Sequence, residues 1–394
     1  MHFGSFMEFE ARPGSTQAES FRDGFDLVEA ADAWGLDGVW LGEMHFNPAR
    51  SVLGAPIVVA SSIATRTKRL RVGMAVQVLP LNNPLRIAEE AATVDHISAG
   101  RFDFGIGRSG NPRAYDLYGV NYGESQARFR EALGIILEAW KGERFSHQGE
   151  YYHFENAIVS PQPYQQPHPP IRMAATTEDT FPRVGEMGLP IFVGLRGMDI
   201  PELRVHLQAY RKAWHEAGHA GEGDVFLRMP VYAATTEQGA LEEPYDSIMY
   251  YYTRQADLTR SAVGRAGTGP AELRQARAER LSTLTFDEIL HTKVAFGTAP
   301  ALIDRLSQLQ EELGLDGVVA ELNAGSRIPA ERVKQSLHIL THEVMPAFRW
   351  GASVTFFAEL TAGSMQSFRL SALRDDVRPH SRSPIPPGVK GQRN

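Results

Sequence analysis

Residues 70–111 read LRVGMAVQVLPLNNPLRIAEEAATVDHISAGRFDFGIGRSGN. The apolar run at 70–79 has the composition of a strand buried on both faces. A short loop follows, then a helix from about Pro84 to Ile97, then a second buried strand, RFDFGIG. A Gly-rich turn carrying a single arginine, Arg108, closes the unit. In parallel α/β proteins ligands bind just beyond the carboxyl ends of the strands, which is where this arginine falls.

The same alternation extends in both directions. Upstream, HFGSFMEF reads as a first strand, and a helix is expected from about Thr16 to Trp34 because Phe21, Phe25, Val28 and Ala31 recur at helical spacing. Gly35 ends that helix. GLDGVWLGEMHF supplies strand 2 and its exit, and Pro56 to Thr65 a second helix. Downstream, a fourth helix spans roughly Ser125 to Trp140, and GEYYHFENA has the pattern of a hairpin. The run PQPYQQPHPP is an extended connector, since prolines at that density form neither helix nor central strand.

PIRMAAT, LPIFVGL and DVFLRMPVYAA are strands 5 to 7, with helices to Met187 and from about Ile200 to Gly218 between them. Residues 242–290 interrupt the alternation with a tyrosine cluster and a polar helical stretch, the form of a lid inserted before the last unit. Pro300 to Leu313, DGVVAEL and Pro329 to Val344 restore it. Eight strands alternating with eight helices predict a (β/α)8 TIM barrel over residues 1–349; residues 350–394 form a C-terminal extension with a disordered composition.

Composition bounds the function. The 394-residue chain is 43% hydrophobic and 22% charged, as soluble globular proteins are. A net charge of −7 argues against nucleic acid or a membrane surface as the main partner. There is no cysteine, hence no disulfide, thiolate metal site or thiol nucleophile, and no histidine spacing marks a metal site. His215 and His219, four residues apart, belong to a polar helix end and read as solvated. No apolar run is long enough to span a bilayer and the N-terminus lacks a signal-peptide pattern, so the cytoplasm is the expected location.

The barrel reading brings polar residues to one mouth. Glu43 and His45 follow strand 2, Gln77 ends strand 3, and Arg108, Ser109 and Gly110 follow strand 4. Thr176 and Thr177 follow strand 5, Arg196 strand 6, Tyr232 strand 7, and Glu321, Asn323, Gly325 and Ser326 strand 8. Arg108 with Thr176, Thr177 and Thr180 has the chemistry of a phosphate site: a guanidinium fork, hydroxyls opening a helix, and glycines 105, 107 and 110 that admit a ligand to the backbone. The bland alternative is a threonine cap and an Arg108–carboxylate pair. Gly325–Ser326 is a rival phosphate loop. His45 is a candidate proton carrier, or a hydrogen-bonded structural histidine. The tyrosines at 245 and 250–252 either line a substrate cavity or pack the insertion onto the barrel.

GLDGVWLGEMHF, RLRVGMAVQVLP, DHISAGRFDFGIGRSGNP, MAATTEDTFPRVGEMGLPIF and the last unit from FGTAPALIDRLSQL to HEVMPAFR together resemble the bacterial-luciferase-like, flavin-dependent monooxygenases. The resemblance covers about residues 1–349. It implies a (β/α)8 barrel, commonly a homodimer, that takes reduced FMN from a separate NAD(P)H:flavin reductase and uses O2, through a flavin C4a-peroxide, to oxidise a small organic substrate. It implies that Arg108 holds the FMN phosphate with Thr177 and Thr180, Ala175 and Thr176 lying beside them. It places Ala75, Val76 and Gln77 at the flavin ring, with a non-proline cis peptide at Ala75–Val76. Luciferase itself carries two consecutive histidines after strand 2. Here the first is Met44 and only His45 remains, as Gly107 stands where luciferase has a reactive cysteine. Related barrels use the deazaflavin F420 for hydride transfer, and some relatives bind flavin without turnover; both are alternatives.

Overall fold

A computed structural model describes residues 1–265 and 270–349. Its centre is a closed ring of eight parallel strands. They are β1 (His2–Met7), β2 (Gly38–Leu41), β3 (Arg71–Met74, resuming at Gln77–Val78), β4 (Phe102–Gly107), β5 (Ile171–Ala174), β6 (Ile191–Gly194), β7 (Val225–Ala233) and β8 (Gly317–Glu321). Each strand pairs with the next, and β8 pairs with β1 in the register His2↔Gly317 to Ser5↔Ala320, which closes the barrel. The fold is the (β/α)8 TIM barrel that the alternation predicts. The extension from residue 350 lies outside the described residues.

Local chemistry sets the helix ends. The first helix, Gln17–Trp34, begins at a capping box in which Thr16 and Glu19 satisfy each other's backbone amides, and it ends at Gly35 with φ of 81°. The third, Pro84–Ile97, is capped by the Asn83 side chain and has proline in its first position.

The barrel interior is aromatic: Phe6, Trp40, Phe192 and Phe226 pack with Val319, and Ala75, Val76 and Ala174 close over them. Gly73 makes room for this packing, because a Cβ there would lie 2.2 Å from the Trp40 ring. Gly105 on β4 has the same role toward β3; its Cβ would meet the Met74 carbonyl oxygen at 1.7 Å. Gly107 likewise faces Val76. Glycines 105 and 107 therefore accommodate a neighbouring strand of the protein, where the sequence suggested room for a ligand.

Residues 242–290 form three helices, Tyr245–Ser261, Ala271–Thr283 and Phe286–Thr292. Ile248, Tyr251, Tyr252, Ala256, Leu281 and Ile289 build a second small core beneath them, together with Ala324 from the loop after β8. Tyr251 and Tyr252 thus pack the insertion. The expected hairpin is present at Phe145–Gln148 and His153–Ala157. A short helix at Pro112–Tyr118, absent from the sequence reading, follows the Arg108 turn.

Candidate active site

The carboxyl ends of β4 and β5 are neighbours, with Ile106 opposite Met173, so the turn at Arg108 meets the segment after β5. Arg108 is half-buried, and its Nη1 donates to the Ser125 hydroxyl at 3.1 Å. It has no carboxylate partner among the described residues, which removes the bland alternative of an ion pair. Tyr115 donates from its hydroxyl to the Arg108 carbonyl, and Tyr122 to the Ser109 carbonyl at 3.2 Å. These two tyrosines pin the turn, and Ser109 takes a positive φ of 62° within it.

In the segment after β5, the Thr177 and Thr180 hydroxyls lie 2.8 Å apart. Neither Thr176 nor Thr177 caps the following helix, Thr180–Glu186; Asp179 holds the cap position without a side-chain bond. The hydroxyl pair is therefore free of that helical task, and Thr176 and Thr177 are exposed. Ala175 is buried, its amide donating to the Phe192 carbonyl.

The rival loop after β8 has its donors committed. The amide of Ser326 bonds to the Asn323 carbonyl, that of Arg327 to the Ser247 hydroxyl, and that of Ile328 to the Asn323 side chain. Three of the amides that a phosphate in this loop could use, those of Ser326, Arg327 and Ile328, are thus committed to the protein itself.

Next to β3 the Ala75–Val76 peptide is cis. Glu43 ties this segment to the exit of β2: one oxygen accepts from Gln77 Nε2 at 2.8 Å and from the Val78 amide at 2.7 Å. Its other oxygen is 2.7 Å from His45 Nε2, and Tyr118 Oη is 3.1 Å from His45 Nδ1. A carboxylate only accepts, so Nε2 carries the proton and Nδ1 accepts from the tyrosine. Glu43 is buried with its side chain 2% exposed, whereas Tyr118 is 47% exposed. His45 therefore has one fixed nitrogen and one whose partner is a surface side chain.

Two further expectations change. Tyr232 is 1% exposed and its hydroxyl is committed as a donor to Glu243. His219 is not solvated, since its ring packs on Trp214 and bonds the Glu186 carbonyl.

The sequence placed Arg196 and Glu321 at strand exits but not the buried cluster of charge that joins them to Glu8 after β1 and Arg228 within β7. Arg50 holds both oxygens of Glu8. Arg228 pairs with Glu321 and lies 3.7 Å from Glu8. Arg196 and Arg254 complete the group electrostatically. Burial alone would raise Glu8, but Arg50 and Arg228 hold it below the usual carboxylate range. Glu10, half-buried nearby, is pushed up to about 7, first by burial and then by Glu8 and Glu321. Its folded pKa exceeds the unfolded one, so its contribution to stability is complete below about pH 4.5 and is lost as pH rises through about 7. Glu10→Gln is expected to melt progressively higher than the parent between pH 5 and 8, by roughly 1–3 kcal/mol at the alkaline end. A melting-temperature difference that is flat over that range would assign the titration elsewhere.

Among the described residues no group of His, Asp and Glu is placed to hold a metal ion, and no helix is long and apolar enough to cross a membrane.

The structure is thus a (β/α)8 barrel that carries, at the carboxyl ends of its strands, an arginine without a carboxylate partner among the described residues, a hydroxyl pair and a carboxylate–histidine pair. Comparison with known proteins gives the family: the luciferase-like monooxygenase profile matches residues 1–317, and the chain belongs to that family of flavin-dependent monooxygenases. It is 27% identical over 352 residues to the oxygenase component of the flavin-dependent trigonelline monooxygenase of Acinetobacter baylyi, covering 88% of this chain and 96% of that one. It is 31% identical over 219 residues to the alkanal monooxygenase alpha chain of the Kryptophanaron alfredi symbiont, covering 56% and 61%.

Among solved structures, the oxygenating constituent of 3,6-diketocamphane monooxygenase from Pseudomonas putida, in complex with FMN, superposes with a TM-score of 0.75 at 21% identity, over 88% of this chain and 98% of that one. The F420-dependent tetrahydromethanopterin reductase of Methanopyrus kandleri does so with a TM-score of 0.68 at 18% identity, over 88% and 99%. At these identities the two structures establish the fold.

Proposed function

We propose that this protein is the oxygenase of a two-component system, using reduced FMN and O2 to oxidise a small organic substrate. The observation that carries the reading is Arg108, a half-buried guanidinium without a carboxylate partner among the described residues, at the end of the strand that neighbours the one leading to the Thr177–Thr180 hydroxyl pair. One fork of donors and two hydroxyls suit a phosphate monoester. Arg108, Thr177 and Thr180 would hold the FMN phosphate, with Ala175 and Thr176 beside them; Ala75, Val76 and Gln77 would support the ring. Reduced FMN supplies two electrons, so that one atom of O2 enters the substrate and the other leaves as water.

The protein's own groups do the rest. Glu43 fixes the Gln77–Val78 segment and holds the His45 Nε2 proton, leaving Nδ1 to accept or return a proton when Tyr118 moves aside. The helices of the insertion would shield the mouth from water. The relative described as an oxygenase component supports a separate reductase as partner. We read the chain as a cytoplasmic homodimer by the same resemblance.

The second reading, an F420-dependent oxidoreductase, is favoured by the F420 enzymes among the structural neighbours. Oxygen uptake separates the two. With a flavin reductase, NADH and FMN, a panel of candidate substrates is expected to include one that stimulates oxygen consumption with stoichiometric product. Reduction or oxidation of substrate with F420 and without oxygen would sink the FMN reading.

A further inference from the structure

Arg196 follows β6, and the alternation of that strand sets its direction. Ile191, Val193 and Leu195 belong to the core between the strands and the outer helices, whereas Phe192 packs inside the ring with Trp40 and Phe226. Successive side chains of an extended chain take opposite faces, so Gly194 and then Arg196 continue on the inner face, above the aromatic interior. The groups that act electrostatically on the guanidinium agree with this placement. They are Tyr251 first, then Glu321, Glu8 and Tyr252, from the insertion helix and from the exits of β8 and β1.

Arg196 is half-buried and has no hydrogen bond, ion pair or ring contact among the described residues. The carboxylates that act on it are engaged elsewhere: Arg50 holds both oxygens of Glu8, and Arg228 pairs with Glu321. The hydroxyls of Tyr251 and Tyr252 are shut off from water and equally without partners. Idle donors at a half-buried site are costly, and here the missing element is an acceptor. Below them, Ala75, Val76 and Ala174 pack on the aromatic interior and give an apolar floor. Ala75 and Val76 are the residues given to the flavin ring above. An apolar floor with a cation at its margin suits a flat ring that is apolar on its faces and carries acceptors along one edge. The isoalloxazine has that form, with N1 and C2=O on its pyrimidine edge. Reduced flavin sheds its N1 proton near neutral pH, which leaves negative charge on that edge.

We propose that Arg196 is a further cofactor-binding residue, whose guanidinium meets the N1–C2=O edge of the flavin and selects the anionic reduced cofactor over the neutral oxidised ring. The inference rests on the FMN reading and deepens it. Arg108 follows β4 and Arg196 follows β6, with the threonine segment after β5 between them. Two guanidiniums without carboxylate partners among the described residues thus serve the two charged ends of one ligand, the phosphate and the reduced ring.

The test is equilibrium titration of the full chain with FMN and with riboflavin, each oxidised and, anaerobically, reduced, read by quenching of tryptophan fluorescence. The parent is expected to bind each reduced flavin roughly tenfold or more tightly than its oxidised form, the range of one charge-assisted contact. Arg196→Met is expected to bring that ratio close to one for both flavins, and Arg196→Lys, which keeps the charge, to retain most of it. Arg108→Ala is expected to leave the ratio alone and to weaken FMN only. Should Arg196→Met fail to fold, Arg196→Gln, which removes the charge and keeps a donor, carries the comparison. A parent ratio near one, a ratio unchanged in Arg196→Met, or an equal loss for reduced and oxidised forms would overturn the proposal. So would a loss for FMN without one for riboflavin, which would give Arg196 to the phosphate. A parent that binds neither flavin would overturn the FMN reading as well, whereas flavin binding with an unchanged ratio leaves that reading standing.

Discussion

Arg108→Ala is expected to bind FMN about 10–150-fold more weakly than the parent, the loss of a charge-assisted contact worth roughly 1.5–3 kcal/mol. The size follows from the site. The guanidinium is half-buried, held in place by Ser125, and has no carboxylate partner among the described residues to share its charge. A phosphate would be its first counter-charge, so the full charge-assisted contact is at stake. The fold should persist, since the turn is pinned through backbone carbonyls by Tyr115 and Tyr122 and not by the arginine side chain. Equilibrium fluorescence titration with FMN, alongside riboflavin, reads the result. Parent and variant should bind riboflavin alike, because only FMN carries the phosphate. Equal loss for both flavins would mean that the substitution damages the mouth generally, and no loss would remove Arg108 from the cofactor site.

His45→Ala is expected to lower substrate-stimulated oxygen uptake by roughly 10²-fold or more, the range for removal of a proton carrier, while reduced-FMN affinity stays that of the parent. The geometry gives this histidine a directed proton: Glu43 fixes Nε2, and Nδ1 faces an exposed tyrosine that can move aside. Tyr118→Phe, which removes only the hydroxyl donor, should retain most of the activity. A merely structural histidine predicts the opposite ranking, with flavin binding and melting temperature falling together and turnover following them. The second histidine of luciferase is retained here and the first is Met44, so this measurement also tells whether one histidine suffices.

The legible parts of the fold are those governed by local chemistry. Thr16 with Glu19 and Gly35 bracket the first helix as capping rules require, and the apolar runs from Leu70 and Phe102 became β3 and β4. The Arg108 turn and the Thr177–Thr180 pair were also legible, because a glycine-rich turn and a threonine run mark their own chain positions.

Long-range electrostatics was not. Glu8 and Arg50 lie 42 residues apart and Arg228 and Glu321 lie 93 apart, and even Glu321, recognised at a strand exit, carries no local sign of its partner. Arg254 falls in the tyrosine cluster of the insertion, where nothing local marks that its inner nitrogens are buried. Glycines misled for a related reason: the sequence shows that a Cβ is absent at 105 and 107, but not that Met74 and Val76 fill the space. The same holds for the loop at Gly325–Ser326, where the amides of Ser326 and Ile328 are taken by Asn323 and that of Arg327 by Ser247 from the insertion.

Anaerobic titration of the protein with reduced FMN and, separately, with reduced F420 tests the central claim most directly. Saturable binding of reduced FMN, followed by oxygen-dependent substrate oxidation on admitting air, is the result expected of a luciferase-like oxygenase with its phosphate site at Arg108. Binding of reduced F420 in place of reduced FMN, with no oxygen consumed, would contradict it.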